Sequence, residues 1–290
     1  MKKCGHYIYS ILFVIICTIC IDVTSHAKDK ITWVYLDYPP FGICEGPNKH
    51  TGLLDQIIHI LRENLTEYDH LEHTGNVKRV LYLLQREEGL SCTCGLNITP
   101  ERMNKFCFSK PAIIAPGIGI TTRKNLLEFF GARKKVSLTN ILKNKKLTLG
   151  VSAERSYGDR IDPIINQFKD AKNVYTLHVG NINQSSIAML IHNRIDYMLA
   201  RPFESMYLAK NLGQENQIIN IPLEESNDYH ISYVACSNNE KGQKLVEKIN
   251  HIIEKEKYTE RYRTIMETWL DENYIDEFET LYKEKFLTTN

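Results

Sequence analysis

Gly95-Leu96-Asn97-Ile98-Thr99-Pro100-Glu101-Arg102, followed by Phe108-Ser109-Lys110-Pro111, is the stretch on which the reading of this chain turns. Ser91 to Ile98 reads as a strand. Thr99 with Pro100 behind it is the punctuation of a helix start, because threonine caps the first amides and proline tolerates the first helical position. The block therefore sets a fixed cation, Arg102, beside turn-rich backbone at a strand end. A planar guanidinium offers a two-pronged fork to a carboxylate or phosphate. The same residues also read as an ordinary helix start with Arg102 on the surface.

The surrounding segments repeat a strand-then-helix rhythm. Ile31 to Leu36 is a β-branched, aromatic run, read as a buried strand. Asp37-Tyr38-Pro39-Pro40-Phe41-Gly42 cannot extend it, since two prolines remove donors and fix φ. Leu53, Leu54, Ile57, Ile58, Leu61 and Leu65 follow at helical spacing. A second helical pattern carries Val77, Val80, Leu81 and Leu84, with Asn76 as its N-cap and Gly89 as its stop. Further on, strands are expected at 147–151, 174–179, 195–200 and 218–223. Helices are expected at 159–168, after Asn183, and from Pro202 to Gly213. This alternation predicts an α/β fold with a largely parallel sheet covered on both faces. Ala112 to Ile120 and Asp228 to Val234 are extended stretches suited to crossing between two lobes. Amphipathic helices from Gly242 onward, with Trp269-Leu270 late among them, are expected to pack back on the first lobe.

The N-terminus reads as an export signal: Lys2 and Lys3, an apolar run from Ile8 to Ile21, then Ser25-His26-Ala27 as a small-x-small cleavage site. Cys17 and Cys20 follow isoleucines, which disfavours a lipoprotein. Residues 1–27 are set aside as signal peptide, and a periplasmic or otherwise exported location is expected after cleavage near Ala27. Lys and Arg number 36 against 35 Asp and Glu, a formal net charge of +1. That balance disfavours nucleic acid as the partner, which calls for a strongly basic face. Of eight cysteines, Cys4, Cys17 and Cys20 lie in the signal. Cys44, Cys92, Cys94, Cys107 and Cys236 remain, an odd set for an oxidising compartment. Cys94 with Cys107 is the pairing expected. Cys92-Thr93-Cys94 has the wrong spacer for a zinc or redox motif, and His70 with His73 lacks further ligands, so no metal or cofactor is expected.

In the order and spacing of its motifs the chain resembles type II periplasmic solute-binding proteins of the amino-acid-binding branch, family 3. The likeness is carried by Asp37 to Phe41, Gly52 to Asp55, Gly95 to Arg102, Phe108-Ser109, Arg194-Ile195-Asp196, and Cys236 to Asn250 followed by Trp269. It implies two α/β lobes, 28–112 with 232–290 and 117–227, joined by hinge strands at 113–116 and 228–231, with ligand between them. It implies that Arg102 clamps a ligand carboxylate, that Gly95 and Asn97 bond its polar groups, and that Tyr38 or Phe41 packs over it. In the second lobe the loop Ser152 to Tyr157 precedes a helix, and Ser156 is its best hydroxyl.

One position departs from the family pattern. Where an acid usually holds the ligand ammonium, this chain has Arg201; Glu204, one turn later, is the nearest acid. The implied function is capture of a small anionic or amino-acid-like ligand for a membrane transporter by a monomeric, non-enzymatic protein. The alternatives are an enzyme of the same fold, a dehydratase with Glu204 as its proton-bearing carboxyl, or a ligand sensor without a transporter.

Overall fold

The computed structural model describes residues 28–86, 89–131, 135–152, 155–177 and 182–289. The expected signal segment lies outside them, as does the side chain of Asn183.

Two five-stranded sheets form the chain. The first has the order β2-β1-β3-β10-β4, where β1 is Lys30–Leu36, β2 Asp69–Gly75, β3 Ser91–Leu96, β4 Phe106–Pro116 and β10 Tyr229–Ser237. The second has the order β7-β6-β8-β5-β9, where β5 is Gly119–Arg123, β6 Leu149–Ser152, β7 Val174–Leu177, β8 Tyr197–Ala200 and β9 Ile218–Pro222. β1 runs parallel to β2 and β3, and β6 parallel to β7 and β8. β10 and β5 are the antiparallel members of their sheets. The expected two-lobed α/β architecture is therefore present, and its inner strands β3, β6 and β8 are mostly buried because helices cover the sheets.

The chain passes between sheets twice, and the two passages touch. Pro116 lies opposite Tyr229, and Gly117 donates its N–H to the Asp228 carbonyl at 3.0 Å. A Cβ on Gly117 would sit 1.8 Å from the Asn227 carbonyl oxygen, so only glycine fits. The expected hinge stretches, 113–116 and 228–231, are paired with each other as the ends of β4 and β10.

Helix Leu53–Asn64 buries Leu53, Leu54, Ile57, Ile58, Ile60 and Leu61 against the first sheet, as its spacing predicts. Helices Glu240–Glu256 and Glu260–Glu267 pack on the same lobe through Leu245, Ile249, Ile253, Tyr262 and Met266. The second lobe has its own core around Ile120, Leu138, Leu142, Leu149 and Tyr197. Strand β2 was not expected, because DHLEHTG shows no apolar alternation; it forms because all seven residues pair with β1, and as an edge strand it exposes its charges.

The expected Cys94–Cys107 bridge is corrected. β10 inserts between β3 and β4, so Cys94 faces Val234 and cannot reach Cys107 on β4. The disulfide joins Cys92 and Cys236, directly opposed with Cα atoms 4.1 Å apart. Cys44, Cys94 and Cys107 are free thiols.

Candidate functional site

Four loops leave the C-terminal ends of parallel strands, where ligands sit in open α/β sheets. From the first lobe come the loop after β1, with Tyr38 and Phe41, and the loop after β3, with Asn97 and Arg102. From the second come the loop after β6, with Arg155 and Ser156, and the turn after β8, with Arg201 and Glu204. Across the gap between the sheets Tyr38 meets Glu204 and Phe41 meets Phe203.

The loop after β1 is held at several points. Tyr38 and Gly42 exchange backbone hydrogen bonds at 3.0 and 3.1 Å, and Leu54 donates to the Phe41 carbonyl at 2.7 Å. The buried Asp55 carboxylate accepts the Ile43 and Gly52 amides through Oδ2 at 2.8 and 3.1 Å. Tyr38 and Phe41 therefore leave a rigid turn, their rings stacked with centroids 5.7 Å apart. Phe41 meets Phe203 of the second lobe edge-on at 5.8 Å, and Phe203 is fully buried.

Glu204 is the centre of the cluster, with 2% of its surface exposed. Oε2 accepts from Arg155 Nη2 at 2.7 Å and from the Arg201 amide at 3.2 Å; Oε1 accepts from the Tyr38 hydroxyl at 2.9 Å. Burial by itself raises the Glu204 pKa, but the charges of Arg155 and Arg201 and the hydrogen bonds outweigh it and hold the carboxyl below its ordinary range. Burial first, then the Glu204 charge, pushes the Tyr38 hydroxyl up to about 12. An ionised Glu204 is an acceptor, not the proton-bearing acid a dehydratase requires.

Arg201 projects back toward the hinge and donates from Nη1 to the Pro116 carbonyl at 2.9 Å. Burial depresses its pKa, with neighbouring Arg155 adding to the effect against the pull of Glu204. Arg201 lines a cavity of about 300 Å³ together with Gly117, Ser156, Tyr157, Arg160 and His230. Ser156 is already engaged: its Oγ donates to Asp162 Oδ2 at 2.6 Å and accepts from the Gly158 amide at 3.3 Å.

In the loop after β3 Arg102 donates from Nη1 to the Asn97 carbonyl at 3.1 Å, while Thr99 caps the short helix by accepting the Arg102 amide at 3.3 Å. His230 Nε2 donates to Asn97 Oδ1 at 2.8 Å, since an amide oxygen only accepts. Gly95 has φ +88, and a Cβ there would meet Leu54 Cδ2 at 2.6 Å, which gives this glycine a packing reason. The structure thus gathers Tyr38, Arg201 and Glu204 in one cluster, with Phe41 stacked on it, and sets Asn97 with Arg102 beside His230. Arg155 and His230 are the members that sequence reasoning missed. Arg155 lies inside the loop that was read only for Ser156.

Asp196, by contrast, is structural: Arg123 Nη2 reaches Oδ1 at 3.0 Å and the Thr148 amide reaches Oδ2 at 2.8 Å. His70 accepts from Trp33 Nε1 at 3.0 Å and is spent on packing. Among the described residues no group of three or more His, Cys, Asp or Glu side chains is placed to hold a metal ion.

A two-lobed α/β protein with a polar inter-lobe cleft is the architecture of the binding-protein class. Residues 31–272 match the bacterial extracellular solute-binding proteins, family 3, and the chain belongs to that family. Solved structures share the fold at low identity. An ancestral cationic amino acid solute-binding protein is 19% identical, covering 84% of this chain and 96% of that one, with a TM-score of 0.63. The probable amino-acid transporter extracellular-binding protein ytmK of Bacillus subtilis is 16% identical, covering 86% and 100%, with a TM-score of 0.62. The second substrate-binding domain of GlnP from Lactococcus lactis, in an open conformation, is 16% identical, covering 84% and 96%, with a TM-score of 0.61. Among curated proteins none matches the chain.

Proposed function

We propose that this chain is an exported binding protein that captures a small anionic or amino-acid-like ligand between its lobes and passes it to a membrane transporter. The observation that carries the reading is the cross-cleft cluster, in which Tyr38 of one lobe meets the Arg155–Glu204 pair of the other beside the hinge. Groups that touch across a hinge cleft are the ones a ligand rearranges when the lobes move. Membership of the family supports the same reading, as does the likeness to binding proteins whose names specify amino acids. Arg102 is assigned to the ligand carboxylate, with Asn97 and the backbone at Gly95 beside it; Tyr38 and Phe41 form the apolar wall. Ser156 and Arg201 act from the second lobe.

Native mass spectrometry of gently purified protein tests the reading by showing a co-purified small molecule. Calorimetry then tests the clamp: Arg102→Ala abolishes binding of that molecule and leaves the melting temperature nearly unchanged. Undiminished affinity in that variant removes Arg102 from the site.

A further inference from the structure

Helix Pro202–Asn211 belongs to the second lobe but packs on both. Met206 and Ala209 join that lobe's own core beside Ala200 and Ile218. Phe203, Tyr207 and Lys210, spaced i, i+4 and i+7, share another face of the helix and meet the first lobe. Among the described residues Phe203 is the only buried side chain of the second lobe that sits in the first lobe's apolar core. Its ring is fully buried, edge-on to Phe41 at 5.8 Å and to Phe278 at 6.3 Å. One turn on, Tyr207 meets Trp269 edge-on at 4.9 Å, and Lys210 Nζ lies 5.7 Å from the centre of the same ring system.

Phe278 lies past the family match, which ends at residue 272. It sits on helix Ile275–Leu281, and the chain around it is fastened to the first lobe. Tyr282 and Phe286 follow, both buried, with ring centres 5.0 Å apart, and Phe286 stacks on Tyr262 at 6.3 Å. The Tyr282 hydroxyl donates to the Lys257 carbonyl at 2.6 Å, and Arg263 pairs with Glu279. Phe278 is therefore a fixed wall of the first lobe.

Phe203 and Glu204 are consecutive, and Tyr38 and Phe41 leave one rigid turn. A lobe motion that parts Tyr38 from Glu204 therefore also draws Phe203 away from Phe41. Withdrawing a buried phenyl ring from between two others exposes apolar surface and forfeits the ring contacts, so it opposes opening.

We infer that this face of helix Pro202–Asn211, with Phe203 as its knob, is an apolar clamp between the lobes, and that residues 275–286 supply, through Phe278, the wall it grips. The clamp sets the share of open protein from outside the ligand cavity, since neither Phe203 nor Phe278 lines it. It also holds Arg201 and Glu204, at the start of the same helix, against the first lobe.

Single-molecule energy transfer between dyes on the two lobes reads the ratio of open to closed lobes in the intact protein, with no ligand added. Phe203→Leu and Phe278→Leu, which keep an apolar side chain for folding, each raise that ratio about fivefold or more. Because both remove the same contact, the double variant opens no further than the stronger single one. Tyr207→Ala, at a half-buried position, raises the ratio as well. Phe286→Leu, whose ring neighbours Tyr262 and Tyr282 both belong to the first lobe, lowers the melting temperature and keeps the wild-type ratio. A wild-type ratio in Phe203→Leu, Phe278→Leu or Tyr207→Ala overturns the clamp. So do effects that add in the double variant, or equal opening in Phe286→Leu, either of which marks a general loosening. Each of these results leaves the proposed binding function standing, because no ligand enters the measurement.

Discussion

The hydroxyl of Tyr38 donates to Oε1 of Glu204 at 2.9 Å, joining residues 166 positions apart and on opposite lobes. The bond ends on a buried carboxylate while Tyr38 itself is 42% exposed, so its contribution lies at the low end of the about 1.5–3 kcal/mol of a hydrogen bond to a charged group. It is a latch between lobes that must part for the cleft to open.

Tyr38→Phe keeps the ring that stacks on Phe41 and removes the donor. The expected outcome is a shift of the ligand-free protein toward open lobes by about tenfold in population. Small-angle scattering or fluorescence energy transfer between labels on the two lobes reads it directly. A lobe separation equal to wild type shows that the latch contributes nothing. High pH gives a second readout. The tyrosine titrates near 10 when unfolded and at about 12 in the fold, so the unfolded chain loses its proton first. Stability from this group is therefore full below pH 10 and declines between 10 and about 12.

The Arg155–Glu204 pair is buried, with N···O at 2.7 Å. Removing one member takes from the other its closest opposite charge. Glu204→Gln and Arg155→Met are each expected to destabilise by about 3–5 kcal/mol. The double change Arg155→Met, Glu204→Leu is expected to cost less than the two single losses combined, since the pair leaves together and only Arg201 loses the pull of Glu204. Urea denaturation of the four proteins measures the cycle. Additive losses would mean that the two side chains do not act as a pair.

His230 is held neutral. Burial, then the nearby Arg201 charge, lowers its pKa to about 4. An unfolded histidine titrates near 6.5, so as pH falls the unfolded chain takes the proton first. The stability contributed by this group is complete above pH 6.5, declines from there to about 4, and then levels. His230→Gln should flatten that part of the wild-type profile, measured as denaturation midpoints across pH 4–7. An NMR titration that gives an ordinary value for His230 contradicts the prediction.

Much of the architecture was readable because the buried strands declare themselves. Ile31 to Leu36 is β-branched or aromatic in all but its last residue, and helix Leu53–Asn64 shows its face by spacing alone. Asp69–Gly75 carried no such mark; its strand character comes from the neighbour it pairs with. The site divides the same way. Arg201 and Glu204 are three residues apart, so their association is local and visible. Arg155 meets Glu204 because β6 and β8 are parallel neighbours whose C-terminal ends share one edge, a fact of sheet order that no local pattern encodes. The disulfide was misread for the same reason: β10, arriving more than a hundred residues later, separates the strands of Cys94 and Cys107 and brings its own cysteine.

That disulfide ties the C-terminal part of the chain to the first lobe across a sequence separation of 144. Closing so long a loop restricts the unfolded chain, an effect of about 2–5 kcal/mol for native bridges. Reduction, or Cys92→Ala, is therefore expected to lower the melting temperature by about 5–15 °C in a protein of this size. Cys107→Ser should leave it unchanged, since that thiol is unbridged and only partly buried. Peptide mapping without reduction should recover a Cys92–Cys236 linkage. Alkylation of the native protein should modify Cys107 ahead of Cys44 and Cys94, which are buried and whose thiols burial pushes up. A recovered Cys94–Cys107 peptide would require β3 and β4 to be neighbours, and would displace β10 from the middle of the sheet.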